Sequence, residues 1–346
     1  MKPRVAIGPA ELAGTVMGWE EGLRAHGVDV EVVLWAPSPF GYESGRVLGR
    51  GARVLYGLLA PFRRDVLHYQ YGSTWARTVD AWWARLLRRT TVCTYHGDDC
   101  RIPSVAQRQF PARARVVAPA RESWVRRRLR ALGAACDAAL VADLELATYV
   151  RPYFRRVYVT PLPLHRDPVD APTQREEGPP VVVHAASDPV VKGTEAIRAA
   201  VEEVGTRLPL RFRVLSGASY DEVARELRRA EVVVDQLNSV TSGVFALEAL
   251  RLGLPVLGEF DPAALAPYQH DLPVVRVTPE TLAGELETLL RDEERRQRLA
   301  AAGPPYVARN HDPVQVAATL LEIYAHARRS SHGTYLATAD GISSLG

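Results

Sequence analysis

Short runs of Val, Ile, Leu and Tyr recur along this chain, each about a strand long and each followed by a stretch of helical spacing. In the first half they fall at 5–7, 30–34, 66–69, 91–95, 139–141 and 157–160. Helical patterns at 14–26, 74–88, 121–132 and 143–149 lie between them. The second half repeats the alternation, with runs at 181–184, 212–215, 232–235, 255–257 and 274–277. Strands that are apolar on both faces and separated by helices predict a parallel sheet, because the crossovers lay helices over both sides. Two such series in tandem predict an α/β protein with two doubly wound, Rossmann-like domains.

Proline marks the seam. Six prolines lie between residues 161 and 180, and neither a helix interior nor an inner strand accepts a residue without a backbone donor at that density. The expected domains are 1–165 and 180–312, joined by a linker at 166–179. A last amphipathic helix is expected over 313–329, with Val316, Leu320, Ile323 and Tyr324 at helical spacing, packing back toward the first domain. The closing segment, 330–346, is small and polar and reads as a mobile tail.

Composition narrows the class. With 47% apolar and 24% charged residues over 346 positions, the chain is globular rather than disordered or fibrous. No run of about 18 uncharged apolar residues occurs, so no transmembrane helix is expected. The N-terminus enters a strand-like run at once, without the apolar stretch of a signal peptide. Cys93, Cys100 and Cys136 form no CxxC pair, which fits reduced thiols in a cytoplasmic protein. The net charge of +3 divides into +9 over residues 1–170 and −6 over 171–346, so the halves are expected to meet different partners. Among 43 cationic residues only Lys2 and Lys192 are lysine.

Ligands of open parallel sheets bind beyond the carboxyl ends of strands, near helix N-termini. The segments that follow strands therefore carry the candidate chemistry, and two facing sheets would place it in a cleft between domains. After the first strand, the loop from Gly8 to Gly18 contains Gly14 and Thr15 and opens a helix. It either offers amides to an anion or sugar hydroxyl, or uses glycine for the turn alone. It is not GxGxxG, and no GxxxxGK[ST] occurs in the chain, which excludes the nicotinamide and P-loop readings.

After the fourth strand stand His96, Gly97, Asp98 and Asp99. His96 can exchange hydrogen bonds near neutral pH, or be a loop histidine beside a capping aspartate. Adjacent carboxylates normally diverge and no third ligand is evident, so no metal site is expected. In the second half Ser187 and Lys192 follow a strand, and lysine on such a loop suits a phosphate. Asp235 ends another strand; a polar loop containing Asn238 then leads to Gly243, Val244 and Phe245, which open a helix as a diphosphate site would. Glu248, further along, either accepts from a ribose hydroxyl pair or simply complements the helix dipole.

These segments resemble the retaining GT-B glycosyltransferases of the family 4 type. The similarity is carried by Lys192-Gly193, by the run from Gly243 to Leu250 with Leu252-Gly253-Leu254-Pro255-Val256, and by Tyr95-His96-Gly97-Asp98. It covers residues 1–328, and the helix after Gly243 is its most specific part. It implies two Rossmann-like domains facing each other across a cleft. It also implies transfer of a hexose from a UDP-, GDP- or ADP-linked donor to a glycan, lipid-linked or small-molecule acceptor, without metal or other cofactor.

By resemblance Lys192 would contact the diphosphate, the amides of Gly243, Val244 and Phe245 the distal phosphate, and Glu248 the ribose. Gly14, Thr15, Ser187, Ser216 and Asn238 complete the donor side. His96 would lie near the anomeric carbon, with Asp98 and Asp99 toward the acceptor. Two positions depart from the pattern. Val240 stands where the family has a second acidic residue, leaving Asp235 or Asn238 to read the donor, and Ser187 to Pro189 replace an arginine before the lysine.

Residues 121–130 form a basic stretch around Trp124, suited to an anionic membrane surface or to a solvated face. No nucleic-acid partner is expected, since no recognition motif accompanies the charge and the second half is acidic. The rival readings are a sugar-nucleotide epimerase or phosphorylase of the same fold, and a degenerate transferase kept as a nucleotide-sugar-binding or scaffold partner.

Overall fold

The computed structural model describes residues 2–116, 121–166 and 177–345. They form two compact units. One takes Met1–Gln109, Val117–Arg166 and Asn310–Gly346, the other Phe110–Val116 and Asp167–Arg309. Most of the expected linker, residues 167–176, lies outside the described residues.

The first unit begins β1 (Arg4–Gly8), α1 (Thr15–Ala25), β2 (Asp29–Leu34), β3 (Arg46–Val47), α2 (Arg50–Arg63), β4 (Val66–Gln70) and α3 (Val79–Leu86). It continues with β5 (Thr90–Thr94), α4 (Pro103–Gln109), α5 (Pro111–Ala114), α6 (Glu122–Ala135), β6 (Ala138–Val141), α7 (Leu144–Val150) and β7 (Arg156–Val159), α5 itself packing with the second unit. The second unit holds β8 (Val181–Ala186), α8 (Pro189–Lys192), α9 (Thr194–Gly205), β9 (Arg211–Ser216), α10 (Tyr220–Leu227), β10 (Val232–Val234) and α11 (Val244–Arg251). Then come β11 (Val256–Gly258), β12 (Val274–Arg276), α12 (Leu282–Arg291) and α13 (Glu293–His311). The chain closes with α14 (Pro313–His326), β13 (Gly333–Thr338) and β14 (Gly341–Ser344) in the first unit.

The first sheet runs β14-β13-β7-β6-β5-β4-β1-β2-β3, and only the β13–β14 pair is antiparallel. The second runs β12-β11-β10-β8-β9, all parallel. In each the strand order reverses beside the unit's first strand: between β1 and β4, and between β8 and β10. Such switch points are where open α/β sheets leave a crevice for ligands.

Burial explains the pairing of elements. Val5, Ile7, Trp19 and Leu23 of β1 and α1 share one apolar cluster with Val316, Leu320, Ile323 and Tyr324 of α14. The second unit buries Val182, Val232 and Val234 against Ile197, Val201, Leu282 and Leu286.

Two expectations are corrected. The expected mobile tail is instead a hairpin over 333–344: β13 pairs in parallel with β7 and turns back through β14, with Tyr335 stacked on Tyr158 at 5.3 Å between ring centroids. Backbone pairing and the packing of Tyr335, Ala337 and Ile342 against the core hold a segment whose composition looked like a loop. Phe110–Val116, expected in the first domain, packs with the second unit, where Arg115 Nη1 approaches Glu259 at 3.4 Å.

Candidate functional site

The second unit's switch point is framed by the loops after β8 and β10. Asp188 caps the N-terminus of α8 by accepting from Val190 N–H (3.0 Å) and Val191 N–H (3.1 Å), and the short helix ends at Lys192. Gly193 follows at φ 71°, a left-handed conformation that side chains resist; a Cβ there would stand 2.8 Å from Leu237 Cβ. Leu237 N–H donates to the Lys192 carbonyl at 3.0 Å, so the two loops are joined. The Lys192 ammonium donates to Gln236 Oε1, and Gln236 Nε2 in turn donates to Ser239 Oγ (3.0 Å) and the Thr241 carbonyl (2.8 Å).

Lys192 meets the helix that opens at Gly243. A Cβ on Gly243 would lie 3.4 Å from both Lys192 Nζ and Asp235 Oδ1. Gly243 N–H donates to Asp235 Oδ2 at 2.9 Å, while no side chain caps α11 and its first turn holds no acid. The amides of Val244 and Phe245 are among those a helix leaves without an internal partner. An ammonium beside such amides makes a positive corner suited to a phosphate.

Around this corner Glu248 is buried on α11 at 5% exposure. Ser187 and Ser216 are exposed at the ends of β8 and β9, whose register pairs Ala186 with Ser216. Asn238 adopts φ 59°, its N–H donating to Glu259 Oε2 at 2.6 Å and its side-chain oxygen accepting from Arg115 at 3.3 Å. Val240 is buried. Two acids accept from the backbone of this loop and the helix opening after it: Asp235 from Gly243 N–H, noted in the sequence, and Glu259 from Asn238 N–H, which was not. Glu259 follows directly on β11, and its only sequence signal is that place after a strand.

The first unit's switch point differs. Glu11 turns onto α1, accepting from Val16 N–H (3.3 Å) and Met17 N–H (3.0 Å), and Ser44 Oγ donates to the same carboxylate at 3.0 Å. Burial raises the pKa of Glu11. Gly14, at φ 75°, leaves no room for a Cβ, which would sit 2.8 Å from His165 Nδ1 and from Tyr42 Cε1. Thr15 is buried, its hydroxyl donating to the Leu12 carbonyl at 2.7 Å. Gly14 and Thr15, expected on the donor side, lie in the turn that opens α1, where Glu11 takes the amides of Val16 and Met17 and Thr15 N–H donates to the Leu12 carbonyl.

His96 stands after β5. Gln70 accepts from His96 Nε2 (2.9 Å) and donates from Nε2 to His68 Nε2 (3.0 Å), whose Nδ1 then donates to Tyr324 OH (2.8 Å). This chain leaves Nδ1 as the acceptor of a neutral His96 ring. Burial lowers the pKa of His96 to about 4 and that of His68 to about 3.

Asp99, expected toward the acceptor, is 1% exposed and accepts from the amides of His96 (3.1 Å) and Gly97 (2.8 Å); burial raises its pKa to about 6. It holds the loop. Asp98 is exposed, 3.6 Å from Arg101. The two side chains diverge, and no group of three or more potential metal ligands occurs among the described residues. All three cysteines are free and buried, with the Cys93 thiol pushed up to about 12. In α6, Arg126 donates to Glu122 and Tyr153, and Arg128 reaches the Tyr71 carbonyl with its guanidinium 4.3 Å from the Trp124 ring centroid.

No protein-family model and no curated protein matches this chain. Solved structures do. It is similar to sucrose-phosphate synthase from Thermosynechococcus elongatus at TM-score 0.63 and 16% identity, over 94% of this chain and 98% of that one. An alpha-glucosyltransferase in complex with UDP-glucose and DNA containing an abasic site matches at TM-score 0.61 and 10% identity, covering 94% and 100%. A UDP-N-acetylglucosamine 2-epimerase matches at TM-score 0.55 and 14% identity, covering 96% and 98%. With its two doubly wound units, the chain has the GT-B fold.

Proposed function

We propose that this protein is a retaining glycosyltransferase of the family 4 type that moves a hexose from a nucleotide diphosphate sugar. The observation that carries the reading is the Lys192 ammonium beside the uncapped N-terminus of α11. Support comes from the fold shared with glycosyltransferases, one of them holding UDP-glucose.

In this reading the second unit binds the donor. Lys192 and the amides of Gly243, Val244 and Phe245 take the diphosphate, and Glu248 takes the ribose. Ser187, Ser216 and Asn238 border the same corner, and Asp235 and Glu259 replace the acid lost at Val240. The first unit, with His96 and exposed Asp98, receives the glycan, lipid-linked or small-molecule acceptor.

The bond from the anomeric carbon to the phosphate oxygen breaks, and its electron pair leaves with the nucleotide diphosphate. An acceptor hydroxyl bonds to that carbon on the same face and passes its proton to the departing phosphate. The positive corner stabilises charge as it develops, and no metal is required. Removing such a contact typically slows turnover about 10²–10³-fold. Lys192→Ala should therefore depress nucleotide diphosphate release by that amount in an acceptor-dependent assay.

The likeness to a 2-epimerase favours one second reading, epimerisation of the sugar nucleotide. Product analysis separates the two. A glycoside with retained anomeric configuration supports transfer, whereas an epimerised sugar formed without acceptor overturns it. Donor binding without turnover on any acceptor would point to a degenerate binding protein.

A further inference from the structure

Helices α2 and α3 invert the usual order of a surface helix. On α2 the apolar residues Leu55, Leu59 and Phe62 lie at i, i+4 and i+7 and all face solvent, Leu55 at 59% exposure. On α3 Val79, Trp82 and Leu86 repeat this at i, i+3 and i+7, with Leu86 69% exposed. The two helices pack together, and Phe62 meets Trp83 at 5.8 Å between ring centroids. Six large apolar side chains on adjacent helices are far from the scattered singles that soluble surfaces carry.

Charge tells what covers them. Arg50, Arg53, Arg63, Arg77, Arg85 and Arg88 belong to these helices or their flanks, and none has a carboxylate partner among the described residues. The one acid on the two helices, Asp80, is buried and accepts from Trp75 N–H at 2.9 Å. We propose that the α2–α3 face of the first unit docks on an anionic bilayer surface. Its apolar stripes would enter the headgroup boundary while the arginines meet lipid phosphates, the pattern of helices that lie in a membrane interface.

A second copy fits this face poorly. A two-fold interface brings the same patch of both subunits together, which here would set arginine against arginine. No helix among the described residues is long and apolar enough to cross a membrane, so the contact is peripheral. Residues 121–130, suited in sequence to a membrane surface or to a solvated face, lie beside α3, and there Arg126 and Arg128 of α6 are engaged within the chain. None of the candidate donor residues lies on α2 or α3, so the test does not depend on the reaction.

That test is flotation of the full-length protein with vesicles of phosphatidylcholine alone or with added phosphatidylglycerol. The expected result is recovery with the anionic vesicles at least tenfold above the neutral ones, falling as salt is raised. Arg63→Gln and Arg85→Gln should each weaken binding about fivefold. Phe62→Glu combined with Trp82→Glu should abolish it while leaving the thermal melt unchanged; should that pair misfold, Leu55→Gln with Leu59→Gln replaces it. Equal recovery with both vesicle types, no recovery with either, or undiminished binding by the folded double variant would overturn the proposal. So would concentration-dependent self-association, lost in the double variant, without vesicle binding.

Discussion

The two units place the same device at their switch points, a strand followed by a glycine-bearing loop and a helix N-terminus, and finish it in opposite ways. In the first, Glu11 reaches the opening amides of α1 and Ser44 steadies the carboxylate. In the second, Asp235 takes only Gly243, no side chain caps α11, and Lys192 stands beside the opening. A helix N-terminus attracts anions in general, but only one that the chain has not capped itself remains for a ligand. The first helix opening is therefore closed by its own chain, and the second is the one left open, as the proposed nucleotide site requires.

The largest expected effect separates the loops by what each glycine protects. Gly14→Val forces a β-branched residue to φ 75° and into His165 and Tyr42. It should cost about 3 kcal/mol or more of stability, read as a fall in melting temperature. Gly243→Val meets nothing closer than 3.4 Å at a φ of −87°. It should keep the melt and lose nucleotide affinity at least tenfold. Equal melts for the two variants would erase the distinction.

Acid should also act unequally. His68, His96 and His311 are held neutral by burial, with pKa values lowered to about 3, 4 and 4. An unfolded histidine takes its proton near pH 6.5. Between there and about pH 4 the unfolded chain binds more protons, so this stability is intact above 6.5 and lost as pH falls. Asp99, raised to about 6, opposes with one proton because its native form is the better acid-side binder. The second unit has one histidine lowered by burial, His184. Unfolding monitored by pH should show the first unit failing first, and simultaneous loss of both units would contradict this.

Smaller effects sharpen the comparison. Glu248→Ala should weaken donor nucleotide binding about tenfold, near 1.4 kcal/mol, with an unchanged melt. Glu11→Gln should cost about 1 kcal/mol of stability, as lost caps do, and leave nucleotide affinity alone. A change in affinity from Glu11→Gln would assign the first loop a part in binding after all.

Periodicity made most of the fold legible. Runs such as 66–69 and 181–184 are apolar on both faces, as buried parallel strands must be, and they became β4 and β8. The two-residue β3 and the hairpin β13–β14 were not legible, because backbone pairing holds Arg46–Val47 and Gly341–Ser344 and only single apolar residues such as Ile342 reach the core. At the site, Lys192 stood out as a rare lysine after a strand. The engagement of Glu11 with α1, the Gln70 and His68 support of His96, and the approach of Arg115 to Glu259 arise from contacts distant in sequence or from turn geometry. Residue type alone gives no sign of them.

The most direct measurement is calorimetric titration of UDP, GDP and ADP, in EDTA and again with magnesium, into the wild-type protein, Lys192→Ala and Glu11→Gln. One nucleotide should bind in EDTA, Lys192→Ala should weaken it at least tenfold, and Glu11→Gln should leave it unaltered. No binding by any of the three, or equal affinity in Lys192→Ala, would contradict the assignment of the second switch point as the nucleotide site.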